Sequence, residues 1–362
     1  MLYYLFYEYL RKFFSFLNIF QYITVRASGA FITSLLLSLL FGSYVIKLLK
    51  SKKVIQVIRE DGPKHHISKS GTPTMGGMLI ICNTIISVLL WTKVLNRFIL
   101  VLLFSTIYLG VLGFFDDYLK ICKKSSRGVP IGSKFIFQMI LAVIVSSYFY
   151  FFPPNAKFST HIMIPYLKET FVQLGWLYIF FSYLIVIGSA NAVNITDGLD
   201  GLAIGVSIVS YATYGIFAYV GGNVKFAEYL KIVYVPGAGE ISVFIAAVIG
   251  AGLGFLWYNS YPAAIFMGDI GSLFLGGVLG IVALMIKQEI LLFLVGGVFI
   301  IEILTVVLQV YFFRKKGYRL FKMAPLHHHF ELQNIPEPKI TVRFWIVSII
   351  FCLIALGALK IR

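Results

Sequence analysis

Every one of the six aspartates in this 362-residue chain stands beside a glycine or another aspartate: Asp61-Gly62, Asp116-Asp117, Asp197-Gly198, Asp200-Gly201 and Gly268-Asp269. Hard oxygen donors spread over several loops, with no cysteine and few histidines nearby, suit magnesium better than zinc. The pair Asp116-Asp117 closes the apolar run Phe98 to Phe115, which puts two carboxylates at the C-terminal end of a helix, where the macrodipole disfavours anions. Adjacent carboxylates there repel each other, and a bound divalent cation or a basic partner such as Lys120 relieves the repulsion. The alternative is a merely solvated pair.

The densest polar stretch is Asn191 to Ala203, with Asn191, Asn194, Asp197, Gly198 and Asp200 set between the apolar runs Phe171 to Ile187 and Leu202 to Val220. Both runs are long enough to cross a bilayer, so the stretch is expected as a tight turn at one membrane face. An aspartate just before a span can simply cap a helix, but two, with two asparagines upstream, exceed what a cap needs. The segment Trp257 to Ser272 repeats the pattern with Asn259 and Asp269, and capping is again the simpler alternative for Asp269. The glycine- and proline-rich loop Asp61 to Gly77, with Lys64 and Lys69, suits an anion, and an ordinary basic loop explains it equally well. In Met323 to Glu331, three consecutive histidines cannot all face one metal. Hydrogen bonding or charge neutralisation at a phosphate is the functional reading, and a solvated cluster the other. Glu302 and Gln309 interrupt an apolar run, and an intramembrane acid faces protein or water rather than lipid.

These loops must be positioned by membrane spans. Mean hydropathy is +0.89, with 59% hydrophobic and 13% charged residues, where a soluble domain carries about a quarter charged. The expected fold is an all-α polytopic membrane protein in one integral-membrane domain, residues 1–362. Ten spans are expected, within Ala27 to Leu48, Met75 to Trp91, Phe98 to Phe115, Phe135 to Phe152, Phe171 to Ile187, Leu202 to Val220, Ile241 to Tyr258, Ile270 to Ile286, Ile290 to Phe313 and Val342 to Leu359. The aromatic Met1 to Tyr22, carrying Arg11 and Lys12, reads as an interfacial segment rather than a signal peptide. Cys82, Cys122 and Cys352 form no CxxC and are expected as core filler.

The net charge of +16 reflects basic loops on one side rather than nucleic-acid binding. Loops Lys50 to Thr74, Asp116 to Lys134 and Arg314 to Arg343 hold eighteen of the 31 Lys and Arg, against nine for the loops on the opposite side and the tail. The positive-inside rule makes the first set cytoplasmic and both termini outside. All six aspartates then fall on the cytoplasmic side.

A magnesium site and basic residues at the inner face suit a pyrophosphate-containing soluble donor, and a lateral apolar surface suits a lipid acceptor. That argues for phosphoryl or phosphosugar transfer. The competing class is an ion-coupled transporter, which needs midplane ionisable groups and paired broken helices; Glu302 is one such group and no repeat is evident. Through Asp61 to Gly77, Asp116-Asp117, Asn191 to Ala203, Phe266 to Ser272 and Met323 to Glu331, the whole chain resembles the polyprenyl-phosphate N-acetylhexosamine-1-phosphate transferase superfamily, in its muramoyl-pentapeptide branch. It departs in the basic stretch Lys123 to Lys134, with Arg127 where lysine is usual.

The resemblance implies transfer of phospho-N-acetylmuramoyl-pentapeptide from its UDP carrier to undecaprenyl phosphate, giving lipid I and UMP, with magnesium, by a homodimer in the bacterial inner membrane. A related transferase acting on another UDP-N-acetylhexosamine is the neighbouring alternative. Carried onto matching positions, it places magnesium on Asp269 and catalytic roles on Asp116, Asp117, Asp269, His327 and His328. Uridine is expected near Phe266, Asn259, Asp200, Lys120, Lys69 and Gly198, with His327 and His328 near the donor's phosphates or sugar. Thr74, Lys134, Asn191, Asn194, Asp197, Gln309 and His329 complete the substrate-binding set, with the polyprenyl groove beside Glu302 and Gln309. Either the lipid phosphate attacks the donor's sugar-side phosphorus directly or an Asp carboxylate first forms a phospho-intermediate. Direct attack is favoured, because a phosphate monoester with a second pKa of about 6 is largely dianionic at neutral pH.

Overall fold

Apolar runs of spanning length leave the backbone no water to bond, so they satisfy their own N–H and C=O groups as helices. The computed structural model describes residues 1–55, 71–123, 128–167 and 171–360, and shows this throughout. Among the described residues the long helices are α1 (Ile23–Ser51), α2 (Gly77–Trp91), α3 (Arg97–Cys122), α4 (Ile131–Phe151), α5 (Leu177–Thr196), α6 (Leu202–Gly221), α8 (Gly239–Asn259), α9 (Gly268–Met285), α11 (Gly297–Lys316) and α13 (Glu337–Gly357). Shorter helices are α7 (Val224–Leu230), α10 (Leu292–Val295) and α12 (Leu326–Glu331), and a two-stranded antiparallel sheet joins β1 (His161–Met163) to β2 (Phe171–Gln173). Nine of the helices are long and apolar enough to cross a membrane, and α2 is a shorter apolar helix. The protein is an all-α polytopic membrane protein.

The expected spans shift where backbone is needed elsewhere. The run from Met75 is helical only from Gly77, because Gly76 and Gly77 donate their N–H groups to the carbonyls of Phe266 and Met267, at 2.9 and 2.8 Å. Phe171 to Gln173 pairs as β2, so α5 starts at Leu177 and continues to Thr196. Asn191 and Asn194 therefore lie on the last turns of α5, and only residues 197–201 form the turn expected for the whole polar stretch. The ninth expected span breaks at Gly296 into α10 and α11. Helix α3 runs past Asp116 and Asp117 to Cys122, so the pair sits inside the helix rather than at its end.

Helix α9 is the axis of the bundle: every residue from Ile270 to Met285 is buried, against α3, α5, α2 and α6. It is rich in glycine and small residues, which lets neighbouring backbones approach closely. Helix α1 packs along α8, fixed by a buried bidentate pair in which Arg26 Nη1 and Nη2 donate to Glu240 Oε2 and Oε1 at 2.6 and 2.7 Å. The N-terminal segment closes over this pair, with the Tyr3 ring 5.0 Å from the Arg26 guanidinium carbon and 4.7 Å from Lys93 Nζ. All three cysteines are free; Cys352 is core, whereas Cys82 and Cys122 are on the bundle surface, contrary to the expectation of core filler.

Candidate active site

Connections 197–201 and 260–267, the start of α4 and the ends of α3, α5 and α9 meet at one end of the bundle. Helix α3 carries Asp116 and Asp117, both at most 4% exposed. One turn on, Lys120 returns to them, its Nζ 2.6 Å from Asp116 Oδ2 and 3.5 Å from Asp117 Oδ1. The same ammonium reaches Asp269 Oδ1 on α9 at 3.1 Å, and Lys134 of α4 donates to Asp269 Oδ2. The alternation of sign is what permits burial: each carboxylate at this depth is held by an ammonium or a backbone N–H. Ile270 N–H, in the first turn of α9, donates to Asp117 Oδ2 at 3.2 Å, and Val129 N–H donates to Asp116 Oδ1 at 3.0 Å.

Oxygen atoms of Asp116, Asp117 and Asp269 converge within 4.8 Å of one another, a group able to hold a metal ion. The donor set is all carboxylate, and among the described residues three carboxylates face two ammoniums, so the residues fit a hard divalent cation. Gly268 makes this approach possible. Its φ is +72°, and a Cβ there would stand 2.4 Å from Asp117 Oδ2 and 3.1 Å from the buried Thr74 Oγ1.

The other expected residues divide into those at this centre and those beside it. Asn194 is at the centre, its Nδ2 donating to Asp269 Oδ1 at 3.0 Å and Ser272 Oγ at 2.8 Å. Asn191, one turn earlier, instead donates to Gln138 Oε1 of α4 at 2.7 Å and ties α5 to α4. Asp197 follows α5 in the turn. Loss of solvent, together with the charges of Asp269 and Asp117, pushes its carboxyl up to about 8.

Asp200 and Asn259 hold the loops to each other. Asp200 Oδ2 accepts from Ala263 N–H at 3.0 Å, and its N–H donates to Glu337 Oε1 of α13 at 2.7 Å. Asn259 Oδ1 accepts from Gly201 N–H at 3.1 Å while its Nδ2 donates to Ile265 O at 2.8 Å. Phe266 stands half-buried in the same connection, its backbone paired to Pro73 and Gly76. Lys69 lies outside the described residues.

The three histidines of α12 diverge, as about 100° per residue requires. His327 is fully buried, with Nδ1 3.1 Å from Glu302 Oε2 and Nε2 turned to Gly198. His328 pairs with Glu331 at 2.6 Å. His329 accepts from Lys322 N–H at 3.1 Å and meets Gln333 Nε2 at 2.8 Å. Gln309 is occupied with backbone, exchanging two hydrogen bonds with Phe321 at 3.1 and 2.9 Å. Sequence reasoning missed Gln138, Ser272 and Glu337. Gln138 lies one helical turn after Lys134, and that spacing on an apolar helix was the available signal; Ser272 closes the Phe266 to Ser272 stretch, and Glu337 carried no signal.

A membrane-crossing bundle that gathers three carboxylates, two lysines and a buried histidine at one end defines a polytopic membrane protein with a polar, cation-ready centre. The model of the family described as "Glycosyl transferase family 4" matches residues 99–287. Phospho-N-acetylmuramoyl-pentapeptide-transferase of Endomicrobium trichonymphae is 52% identical over 363 residues, covering 100% of both chains. The protein of the same name from Citrifermentans bemidjiense is 50% identical over 362 residues, again covering 100% of both. The chain belongs to the phospho-N-acetylmuramoyl-pentapeptide-transferase family, within glycosyl transferase family 4.

Proposed function

We propose that this protein transfers phospho-N-acetylmuramoyl-pentapeptide from UDP-N-acetylmuramoyl-pentapeptide to undecaprenyl phosphate, forming lipid I and UMP, as an inner-membrane enzyme with its centre facing the cytoplasm and both termini outside. The observation that carries it is the convergence of Asp116, Asp117 and Asp269 with Lys120 and Lys134 at one end of a membrane bundle, in a chain whose full-length relatives bear that transferase's name. A transporter would place such groups near the middle of the bundle.

Asp269, with Asp116 and Asp117, would hold magnesium, which when bound supplies charge stabilisation at the transferring phosphoryl group. Lys120 and Lys134 keep the three carboxylates together and add positive charge for the donor's phosphates. Asp116 positions the acceptor, whose phosphate oxygen attacks the sugar-side phosphorus of the donor. The new P–O bond joins the two phosphates as the bond to UMP breaks, and UMP leaves. Direct attack is favoured over a phospho-aspartate route because the acceptor is already largely dianionic near neutral pH. The uracil end belongs near Phe266, Gly198, Asp200, Asn259, Lys120 and Lys69, with Thr74, Asn191, Asn194, Asp197, His327, His328 and His329 lining the donor path and Gln309 beside the polyprenyl groove. The apolar pocket lined by Val298, Ile301, Phe330 and Val347, beside α11, suits the polyprenyl chain. A homodimer is part of the same reading.

The test is purified protein in detergent with UDP-N-acetylmuramoyl-pentapeptide and undecaprenyl phosphate. Metal-dependent UMP release and lipid I formation are expected; neither product with a folded, metal-supplied protein would refute the reading. UMP exchange into the donor without acceptor would replace direct attack by the covalent route.

A further inference from the structure

Glu302 has no place in the centre described above, yet it is fully buried on α11 and its Oε2 lies 3.1 Å from His327 Nδ1. A carboxylate oxygen at this distance fits a ring that carries its proton on Nδ1, the arrangement that leaves the lone pair on Nε2. That Nε2 is buried without a hydrogen-bond partner among the described residues. It lies against the turn after Asp197, where a Cβ on Gly198 would come within 2.3 Å of it. Burying an acceptor with no partner is unfavourable, and the two neighbouring histidines are turned elsewhere, to Glu331 and to Lys322. Of the three, only His327 has its free nitrogen at the turn.

We propose that Glu302 is a positioning residue for the transfer. It holds His327 in the Nδ1-protonated tautomer, so that the Nε2 lone pair accepts an O–H or N–H of the sugar portion of the donor at the Asp197–Gly198 turn. Carboxylate partners fix ligand histidines in this way elsewhere. The proposal rests on the transferase reading for the identity of the donor, but the tautomer does not. The alternative is that Glu302–His327 is only a latch docking α12 on α11.

The nitrogen resonances of the six histidine side chains, recorded on full-length 15N-labelled protein in detergent at neutral pH, separate the two. The signal assigned by its loss in His327→Asn is expected to report a fixed Nδ1–H, Nε2-unprotonated ring; an Nε2–H or doubly protonated ring overturns the proposal. Glu302→Ala is expected to lower kcat by ~10–100-fold, the range for removing such a partner, with KM for undecaprenyl phosphate little changed. The double variant Glu302→Ala/His327→Ala should be no worse than His327→Ala alone, because the two residues act as a unit. Multiplicative losses would overturn the proposal. Should Glu302→Ala fail to fold, Glu302→Gln keeps the volume, and loss of the exclusive Nδ1–H signature is expected there; an unchanged signature contradicts the assignment. Absence of UMP release from the unmodified protein would count against the transferase reading alone, since the nitrogen spectrum decides the Glu302 assignment in either case.

Discussion

Lys120 Nζ stands 3.1 Å from Asp269 Oδ1, bridging α3 and α9. The same ammonium is 2.6 Å from Asp116 Oδ2, so one lysine neutralises carboxylates drawn from two helices.

That bridge has a stability consequence. Lys120→Met should lower the melting temperature of metal-free protein, because three carboxylates within 4.8 Å lose one of their two cations, an interaction worth a few kcal/mol at ~3 Å. Added magnesium should narrow the gap to the unmodified protein by supplying the missing charge. Equal responses of both proteins to magnesium would count against a shared carboxylate centre. Activity should fall with or without the stability rescue.

Asp197 gives a pH signature. Its folded-state carboxyl is pushed up to about 8, well above its ordinary 3.8. A raised acid binds a proton in the folded state that the unfolded chain has released, so its burden on stability grows as pH rises from about 4 and levels off above about 8. Asp197→Asn should therefore melt above the unmodified metal-free protein, by a margin that widens between pH 5.5 and 8. A margin independent of pH over that interval would show that Asp197 ionises as readily as an exposed aspartate.

Gly268 should tolerate no side chain. In Gly268→Ala the φ of +72° strains the backbone by ~1–2 kcal/mol, and the new Cβ, 2.4 Å from Asp117 Oδ2, must displace that carboxylate. The expectation is a folded protein with activity reduced at least ~10-fold, the scale of a misplaced catalytic group. Unimpaired turnover would mean that Asp117 need not sit where the structure puts it.

The far end of the bundle carries a purely structural test. Glu240→Ala leaves Arg26 buried and unpaired, which costs ~3–5 kcal/mol. Removing both charges, as Arg26→Leu/Glu240→Ala, should recover much of the loss. Chemical denaturation in detergent reads both. A double variant as unstable as the single one would refute the assignment of the loss to an orphaned charge.

How much of this was readable from sequence follows from what each residue interacts with. The spans were legible because bilayer thickness sets their length, and Asp116, Asp117 and Asp269 because acids beside apolar runs are conspicuous. Helix ends were misplaced where tertiary pairing decided them: Phe171 to Gln173 forms β2 with His161 to Met163, and Gly76 and Gly77 bond to Phe266 and Met267. The roles of Asp200 and Asn259 were hidden for the same reason. Each also ties neighbouring segments together, Asp200 bonding Ala263 and Glu337 and Asn259 bonding Gly201 and Ile265, contacts that no local pattern announces. Glu337 went unnoticed because nothing local marks a residue whose partner is 137 positions away, and Gln138 was marked only by its spacing of one helical turn from Lys134. The divergence of His327, His328 and His329 followed from helical geometry alone.

The central claim is that Asp269 belongs to one metal-dependent transfer centre with Asp116 and Asp117. Its most direct test is a magnesium titration of UMP release by Asp269→Asn, in protein shown to be folded and membrane-inserted, beside the unmodified enzyme. An amide oxygen carries no net charge to hold a hard cation. The account predicts that most activity is lost at ordinary magnesium and only partly recovered at high concentration. Near-normal turnover with an unchanged magnesium midpoint would contradict it.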